Sequence, residues 1–226
     1  MLVLVLDSST PAVTAALAEV TADGVTLRAE RRTIDARAHG ELLAPQIDAV
    51  LTEADVRPPG LAAIVVGVGP GPFTGLRVGL VTAASMSQVL GIPAYGVCSL
   101  DAVGHAAAGR DERVLAATDA RRREIYWAVY GADGARLAGP AVDTPATVEV
   151  QAKELAVDVA VGEGAHRYAE ALGLPVRAEP LYPSAYHLAE LAADRIRAGA
   201  AADPLTPLYL RRPDAVAATA RKSVLR

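Results

Sequence analysis

With 226 residues, 52% of them hydrophobic, the chain is long enough to bury a substantial core as one large domain or two small ones. Its net charge of −4 argues against a protein that binds nucleic acid broadly and on its own, because such proteins usually carry a basic surface. The single cysteine, Cys98, excludes an internal disulfide framework and favours a reducing, cytoplasmic environment.

The first half begins with an apolar strand that ends in an aspartate. Residues 2–6 are predicted to form a buried strand before Asp7, and they lack the basic start of a signal peptide. Two more strands are predicted at 12–20 and 25–32, joined by a tight turn. A helix follows at 40–54, and Pro45 should either start it or kink it.

The most informative segment is the motif at residues 69–79, Gly-Pro-Gly-Pro-Phe-Thr-Gly-Leu-Arg-Val-Gly, which holds the only phenylalanine. A buried strand is predicted before it at 61–68, and a helix after it from about Gly75 with Thr74 as the cap. The motif lacks the Walker A lysine and the third glycine of a dinucleotide loop, and its prolines offer no N–H donors. Direct phosphate binding is therefore disfavoured. Two interpretations stay open: a stiff turn before a helix, or a loop and helix presented to a protein partner.

Residues 78–100 carry no charge, so a membrane span has to be considered. Polar side chains within the segment and the Gly91-Ile92-Pro93 break favour a buried helix, a turn and a strand at 94–97 instead. The helix after the motif is apolar all round, so both of its sides need cover. One side can pack on a sheet, and the other requires either this chain or a partner.

The second half repeats the opening of the first. After a predicted helix at 100–108, a strand at 113–119 again ends in an aspartate, Asp119, before a short polar turn and a strand at 124–130. A strand at 157–161, a helix at 184–198 and a last strand at 207–210 complete the prediction. The tail is basic, with Arg211, Arg212, Arg221, Lys222 and Arg226 as the residues that could touch RNA.

The repeated strand–Asp–turn–strand unit at the head of each half indicates a duplication. Two similar α/β halves of this kind describe the actin, sugar-kinase and Hsp70-like ATPase fold, in which each lobe has a central mixed sheet. We predict an N-terminal lobe at residues 1–105 and a C-terminal lobe at 106–226, whose tail could pack back on the first lobe.

Three motifs carry a resemblance that covers nearly the whole chain. They are Leu-Val-Leu-Asp-Ser-Ser at residues 4–9, the glycine–proline motif at 69–79, and Thr-Asp-Ala-Arg at 118–121 leading to Glu-Ile-Tyr-Trp at 124–127. The chain resembles the TsaB family, also called YeaZ, of bacterial tRNA threonylcarbamoyladenosine biosynthesis proteins. It departs from that family at Pro72, where serine is usual.

The resemblance implies an accessory role rather than catalysis. Members pair with the catalytic paralogue TsaD, which transfers a threonylcarbamoyl group to the adenosine beside the anticodon, and TsaE completes the complex. They contact tRNA only through the complex and can form a homodimer when alone. The expected docking helices are those at 40–54 and 75–90. The implied interface residues are Leu42, Gln46, Gly75, Arg77, Gly79, Ala83 and Ser87, and the family motif is represented by Gly69, Gly71, Phe73 and Thr74.

Catalytic and cofactor sites are weakly indicated. The candidates for a residual nucleotide cleft are Asp7, Ser8, Ser9, Asp119, Gly162 and Gly164, and the alternative for them is turn residues that satisfy backbone groups. No two of the four histidines are near in sequence, so we predict no metal site and no peptidase activity. We expect no cofactor for the chain alone, with ATP or ADP possible in the complex. An independent ATP-dependent phosphotransferase of the same fold is the alternative function.

Overall fold

The structure is a computed structural model that describes residues 1–211. Its first half contains five strands and three helices: β1 (Leu2–Asp7), β2 (Ala12–Val20), β3 (Val25–Ile34), α1 (His39–Glu53), β4 (Ala63–Gly67), α2 (Phe73–Leu90), β5 (Ala94–Val97) and α3 (Ser99–Ala107). The remaining elements are β6 (Val114–Arg121), β7 (Glu124–Tyr130), β8 (Arg136–Asp143), α4 (Pro145–Glu154), β9 (Val159–Val161), α5 (Glu163–Arg167), α6 (Ala169–Leu172) and α7 (Ala185–Arg197).

Two mixed sheets organise the chain, and their connections repeat. The first has the order β3-β2-β1-β4-β5, and the second has the order β8-β7-β6-β9. In each, the first strand pairs antiparallel with the next strand in sequence and parallel with the strand that follows a helix. The repeat confirms the predicted fold class, the actin/sugar-kinase-like ATPase fold with two related lobes.

Helix α7, the last helix within residues 1–211, packs on the first sheet. One face of that sheet is covered by α1 and α2, and the other by α7, whose Leu188, Ala189 and Ala192 are completely buried. Conversely, α3 follows the strands of the first sheet in the chain, but its Leu100 and Val103 pack on the second sheet. The two lobes are therefore interleaved by one helix each.

The second sheet separates its aromatic side chains by strand alternation. Tyr126 and Tyr130 face the core under α3, whereas Trp127 faces the core under α4. Tyr130 lies so close to α3 that a Cβ on Gly104 would be 2.2 Å from its ring. The Tyr130 hydroxyl donates to Asp101 at 2.9 Å.

Several predicted boundaries were wrong. Helix α2 begins at Phe73 with extended Pro72 before it and no side-chain cap, so Thr74 lies inside the first turn and does not cap the helix. Helix α1 begins at His39, so Pro45 lies within it and does not start it. Residues 207–210 form no strand, because Pro207 has no N–H and a single backbone hydrogen bond, from Leu208 N to Val68 O, joins the segment to β4's end of the first sheet.

Strand β8 and helix α4 were missed by the sequence prediction, since β8 has few buried residues and α4 few apolar ones. No helix within residues 1–211 is both long and apolar enough to cross a membrane. The predicted RNA contacts at Arg212, Arg221, Lys222 and Arg226 lie outside the described residues.

Two leucines of α7 test whether this helix belongs to the core of the first lobe. Leu188→Ala should lower the free energy of unfolding by about 2–5 kcal/mol, because Leu188 is fully buried and leaves a cavity. Leu191→Ala, on the same helix but 36% exposed, should cost less than about 1 kcal/mol. Chemical denaturation measures both values, and equal effects would show that α7 is not anchored on the sheet.

Candidate functional site

The Asp7 carboxylate is sealed inside the first lobe. Its Oδ1 accepts hydrogen bonds from Ser9 N at 3.0 Å and Ser9 Oγ at 2.8 Å, and its Oδ2 accepts from Ser99 Oγ at 2.7 Å. Gly67 at the end of β4 presses against the same group, because a Cβ there would lie 1.8 Å from Oδ2. Asp7 is 1% exposed, so its charge is turned away from any cleft.

Burial raises the pKa of Asp7 above its ordinary value, although the hydrogen bonds from Ser99 and Ser9 act in the opposite direction. The folded state therefore favours the protonated carboxyl more than the unfolded chain does. This environment differs from that of a carboxylate held ionised for binding a metal–phosphate group.

Ser8 joins the Asp7 turn to helix α2. Its hydroxyl donates to Gly75 O at 2.8 Å and accepts from Gly79 N at 2.9 Å. The Ser8 hydroxyl thus lies between the Gly75 carbonyl and the Gly79 amide, two groups that would bond directly to each other in a regular α-helix. A Cβ on Gly79 would lie 2.6 Å from the Ser8 hydroxyl, so glycine is required there by a contact within the chain.

The second lobe holds Asp119 in a more accessible place than Asp7. Its carboxylate forms a salt bridge with Arg167 and accepts from Arg121 N at 3.2 Å, while its own N–H donates to Glu163 Oε1 at 3.1 Å. Burial raises the pKa of Glu163. Gly162 and Gly164 pack on the β6 backbone, where a Cβ would lie 2.2 Å from Ala117 O or 2.7 Å from the Thr118 carbonyl carbon.

A cleft of about 1070 Å³ opens between the lobes. Its walls come from the start of α1, the glycine–proline motif, the β6–β7 turn and residues 209–211, which end the segment after α7 that we call the C-terminal segment (residues 203–211). The lining residues include Arg37, His39, Phe73, Arg121, Arg122, Tyr126, Tyr209 and Arg211. The six predicted nucleotide residues are not among the residues that line it. Of these six, Asp7, Ser8 and Ser9 are buried, which the local sequence of their turn does not reveal.

Phe73 and Tyr209 form an aromatic pair at the rim of the cleft. Their ring centroids are 5.3 Å apart with the planes 28° from parallel. The Arg77 guanidinium lies 3.8 Å from the Phe73 centroid, and Arg77 Nε donates to the Tyr209 hydroxyl at 2.8 Å. Phe73 remains 54% exposed and Tyr209 41% exposed, so the rings are available to a ligand.

The β6–β7 turn presents three consecutive arginines in left-handed backbone conformation. The φ angles are +62° at Arg121, +54° at Arg122 and +62° at Arg123. Non-glycine residues rarely adopt this region, and a run of three is costly. Arg121 and Arg122 from this turn line the cleft.

The predicted interface residues are divided between the inside and the surface. Gly75, Gly79 and Ala83 lie buried on the face of α2 that packs on the chain itself, so the prediction that they form an open docking face is wrong. Gln46 is buried too and donates from Nε2 to Thr33 Oγ1 at 2.9 Å. Leu42 and Ser87 are half-buried, and Arg77 is exposed.

The glycine–proline motif forms the floor of the cleft beside α2. Gly69 has a φ of +92°, and Gly71 passes so close to the Asp7 turn that a Cβ would lie 2.2 Å from Ser9 O. Both glycines thus serve the packing of the chain, while Phe73 and Thr74 are exposed.

Other reactive side chains are occupied or scattered. His39 Nε2 bonds to Thr10 O at 2.8 Å, and the His105 ring lies edge-on to His187 with the centroids 5.7 Å apart. Residues 1–211 contain no group of three or more histidine, cysteine or acidic side chains placed to hold a metal ion. Cys98 is buried, and burial raises the pKa of its thiol to about 12.

The raised pKa of Asp7 makes a pH-dependent prediction. Because the folded-state pKa exceeds that of the unfolded chain, wild-type stability should fall as pH rises from about 4 to the folded-state pKa of Asp7. In Asp7→Asn, which keeps the side-chain shape, this contribution is absent. The difference between the free energies of unfolding of wild type and variant, measured by denaturation across this range, should therefore shift in favour of the variant as pH rises. A constant difference would contradict the assignment.

Comparisons with known proteins place this architecture in a family. A family profile described as "TsaD: tRNA N6-adenosine threonylcarbamoyltransferase" matches residues 32–206. An uncharacterised protein of Mycobacterium leprae is 46% identical over 219 residues, which is 97% of this chain and 57% of the relative. This chain therefore spans little more than half of that protein.

Two further matches are to proteins named TsaB or YeaZ. The tRNA threonylcarbamoyladenosine biosynthesis protein TsaB of Escherichia coli is 31% identical over 188 residues, or 77% of this chain and 81% of that protein. The structure of YeaZ from Pseudomonas aeruginosa matches with a TM-score of 0.75 at 30% identity, covering 92% of this chain and 99% of that one. Both the sequence and the architecture of the two lobes agree: the chain belongs to the TsaB (YeaZ) family.

Proposed function

We propose that the chain is a non-catalytic subunit of the complex that installs the threonylcarbamoyl group on the adenosine beside the anticodon of tRNAs. In this role it pairs with the catalytic paralogue TsaD and works with TsaE. The E. coli relative carries the name of this biosynthesis, and the matching profile is that of the transferase itself. Both observations support a place in the pathway.

The sealed Asp7 carboxylate carries the accessory part of the proposal. A phosphotransferase of this fold needs an acidic group in the cleft that can hold a metal–phosphate. Here each oxygen of Asp7 already accepts hydrogen bonds, and Gly67 leaves no space for a ligand beside it. This geometry disfavours phosphoryl transfer by the chain alone.

In this proposal the partner binds the solvent-facing sides of α1 and α2. Ala44 and Pro45 on α1 and Val81, Ala84 and Val89 on α2 are exposed, and we call these five residues the α1/α2 face. Val81 is 62% exposed and Val89 is 83% exposed. Small residues between them permit a partner helix to approach within about 8–10 Å. The same face would join two copies of this chain when TsaD is absent.

Substitutions on α2 test this surface. Val81→Arg and Ala84→Arg should abolish co-elution with TsaD while leaving the thermal midpoint of the lone chain nearly unchanged, because both positions are exposed. Val150→Arg is the matched control: this valine of α4 is 52% exposed in the other lobe, and its variant should still co-elute.

Ala83→Arg should behave differently and unfold the chain, since Ala83 is fully buried on the inward face of the same helix. If the Val81 and Ala84 variants both retained co-elution, the α1/α2 face would not be the docking surface.

Catalysis is tested separately from pairing. The purified lone chain should turn over no ATP above a heat-inactivated control, and adding TsaD should be required for modification of tRNA. ATP turnover by the lone chain that is lost in Asp7→Asn would favour the alternative, an independent phosphotransferase. That outcome would overturn the accessory assignment even if the two proteins still paired.

A further inference from the structure

The cleft between the lobes concentrates positive charge in a chain whose net charge is negative. Four arginines line it: Arg37, Arg121, Arg122 and Arg211. None of the described residues in its walls is an aspartate or glutamate. A patch of this sign attracts a polyanion.

Two of the cleft arginines, Arg37 and Arg121, differ from most of the other arginines within residues 1–211. Elsewhere the guanidinium groups are neutralised by carboxylates, as in the pairs Arg28–Glu19, Arg136–Asp101, Arg167–Asp119, Arg177–Glu112 and Arg195–Asp203. Arg37 and Arg121 are exposed and form no salt bridge with any carboxylate in residues 1–211. Arg211 is held in position by Glu124 and by a 3.1 Å bond to Ala120 O.

Aromatic surface lies beside these charges. The exposed Phe73–Tyr209 pair stands at the rim, with Tyr126 in the wall below. Arginines combined with exposed rings are the chemistry that binds unpaired nucleotides, through phosphate contacts and base stacking. The first turn of α2 at Phe73 opens on the same cleft and adds partial positive charge.

We infer that the cleft between the lobes binds RNA, with Arg37 and Arg121 on phosphate groups and the Phe73–Tyr209 pair against an unstacked base. A free nucleoside triphosphate fits less well, because proteins usually hold its magnesium ion through one or two carboxylates and the cleft wall offers none among the described residues. The inference deepens the proposed function by naming an RNA contact on this subunit, and it rests on that function only for the identity of the RNA as tRNA.

The binding test uses the full chain without TsaD and a fluorescently labelled anticodon stem–loop RNA. The wild type should bind weakly at roughly 50 mM salt and lose affinity steeply as salt rises, because phosphate contacts release counterions. Arg37→Glu combined with Arg121→Glu should raise the Kd at least about tenfold. The same variant should flatten the slope of log K against log salt by about 1.4, or about 0.7 for each lost phosphate contact.

A matched control separates the cleft from the surface as a whole. Arg57 is exposed and is not one of the residues that line the cleft: it precedes the first residue of β4, whereas the glycine–proline motif follows the last. Arg57→Glu therefore changes the net charge without altering the cleft wall. This variant should bind within about twofold of wild type even at low salt. Equal losses for the single control and for Arg121→Glu alone would show that the RNA binds the surface non-specifically, and wild-type binding by the cleft double variant would also overturn the inference.

Two more arms identify the ligand. Tyr209→Leu keeps apolar bulk but removes the ring, and it should weaken RNA binding about fivefold; unchanged binding would overturn the stacking contact. ATP or ADP should not displace the RNA at concentrations below about 1 mM, the affinity range of weak contacts. Displacement by either nucleotide, lost in the arginine variant, would make the cleft a mononucleotide site instead. Because pairing with TsaD is not part of this assay, failure here leaves the co-elution result to decide the proposed function.

Discussion

The turn after β1 is pressed against three other segments of the first lobe, and the arrangement of that lobe depends on these contacts. Asp7 lies against Gly67, Ser8 bridges Gly75 and Gly79, and the Ser9 carbonyl lies against Gly71. Any side chain beyond hydrogen at these glycines would separate β4, the motif or α2 from the turn. The hydrogen-bonded turn and the glycine-rich motif can therefore pack together only because each has the shape that the other requires. It fixes the direction of α2 and hence which of its faces reaches solvent.

The interleaving of the lobes limits how the cleft can move. Helix α7 is built into the first lobe and α3 into the second, and His105 Nε2 of α3 lies 3.2 Å from Glu190 Oε2 of α7. The C-terminal segment then crosses between them: Asp203 N bonds to Ala94 O, and Leu208 and Leu210 pack on the core of the second lobe. Opening the cleft widely would break these contacts between the lobes, so they limit how far the cleft can open.

The sequence could predict every strand within residues 1–211 except β8, and the repeat that these strands form, because buried strands carry a local apolar pattern. It could not orient α2, since a helix that is apolar all round carries no periodic signal to distinguish Ala83 from Ala84. It also could not assemble the cleft: Arg37, Arg121 and Arg211 come from distant segments and meet only after folding. The inward direction of Asp7 was equally hidden, because a buried and an exposed turn aspartate share the same local sequence pattern.

The left-handed turn at Arg121–Arg123 has a consequence for engineering this chain. Each arginine in that conformation costs of the order of 1 kcal/mol that glycine or asparagine would avoid. A selection for heat resistance alone would thus be drawn to these positions and would replace guanidinium groups with small neutral side chains. The resulting protein would have a higher thermal stability and a less positively charged cleft. Stability and surface charge are set against each other in a single hairpin, so thermal midpoints are a poor guide to function in variants of this turn.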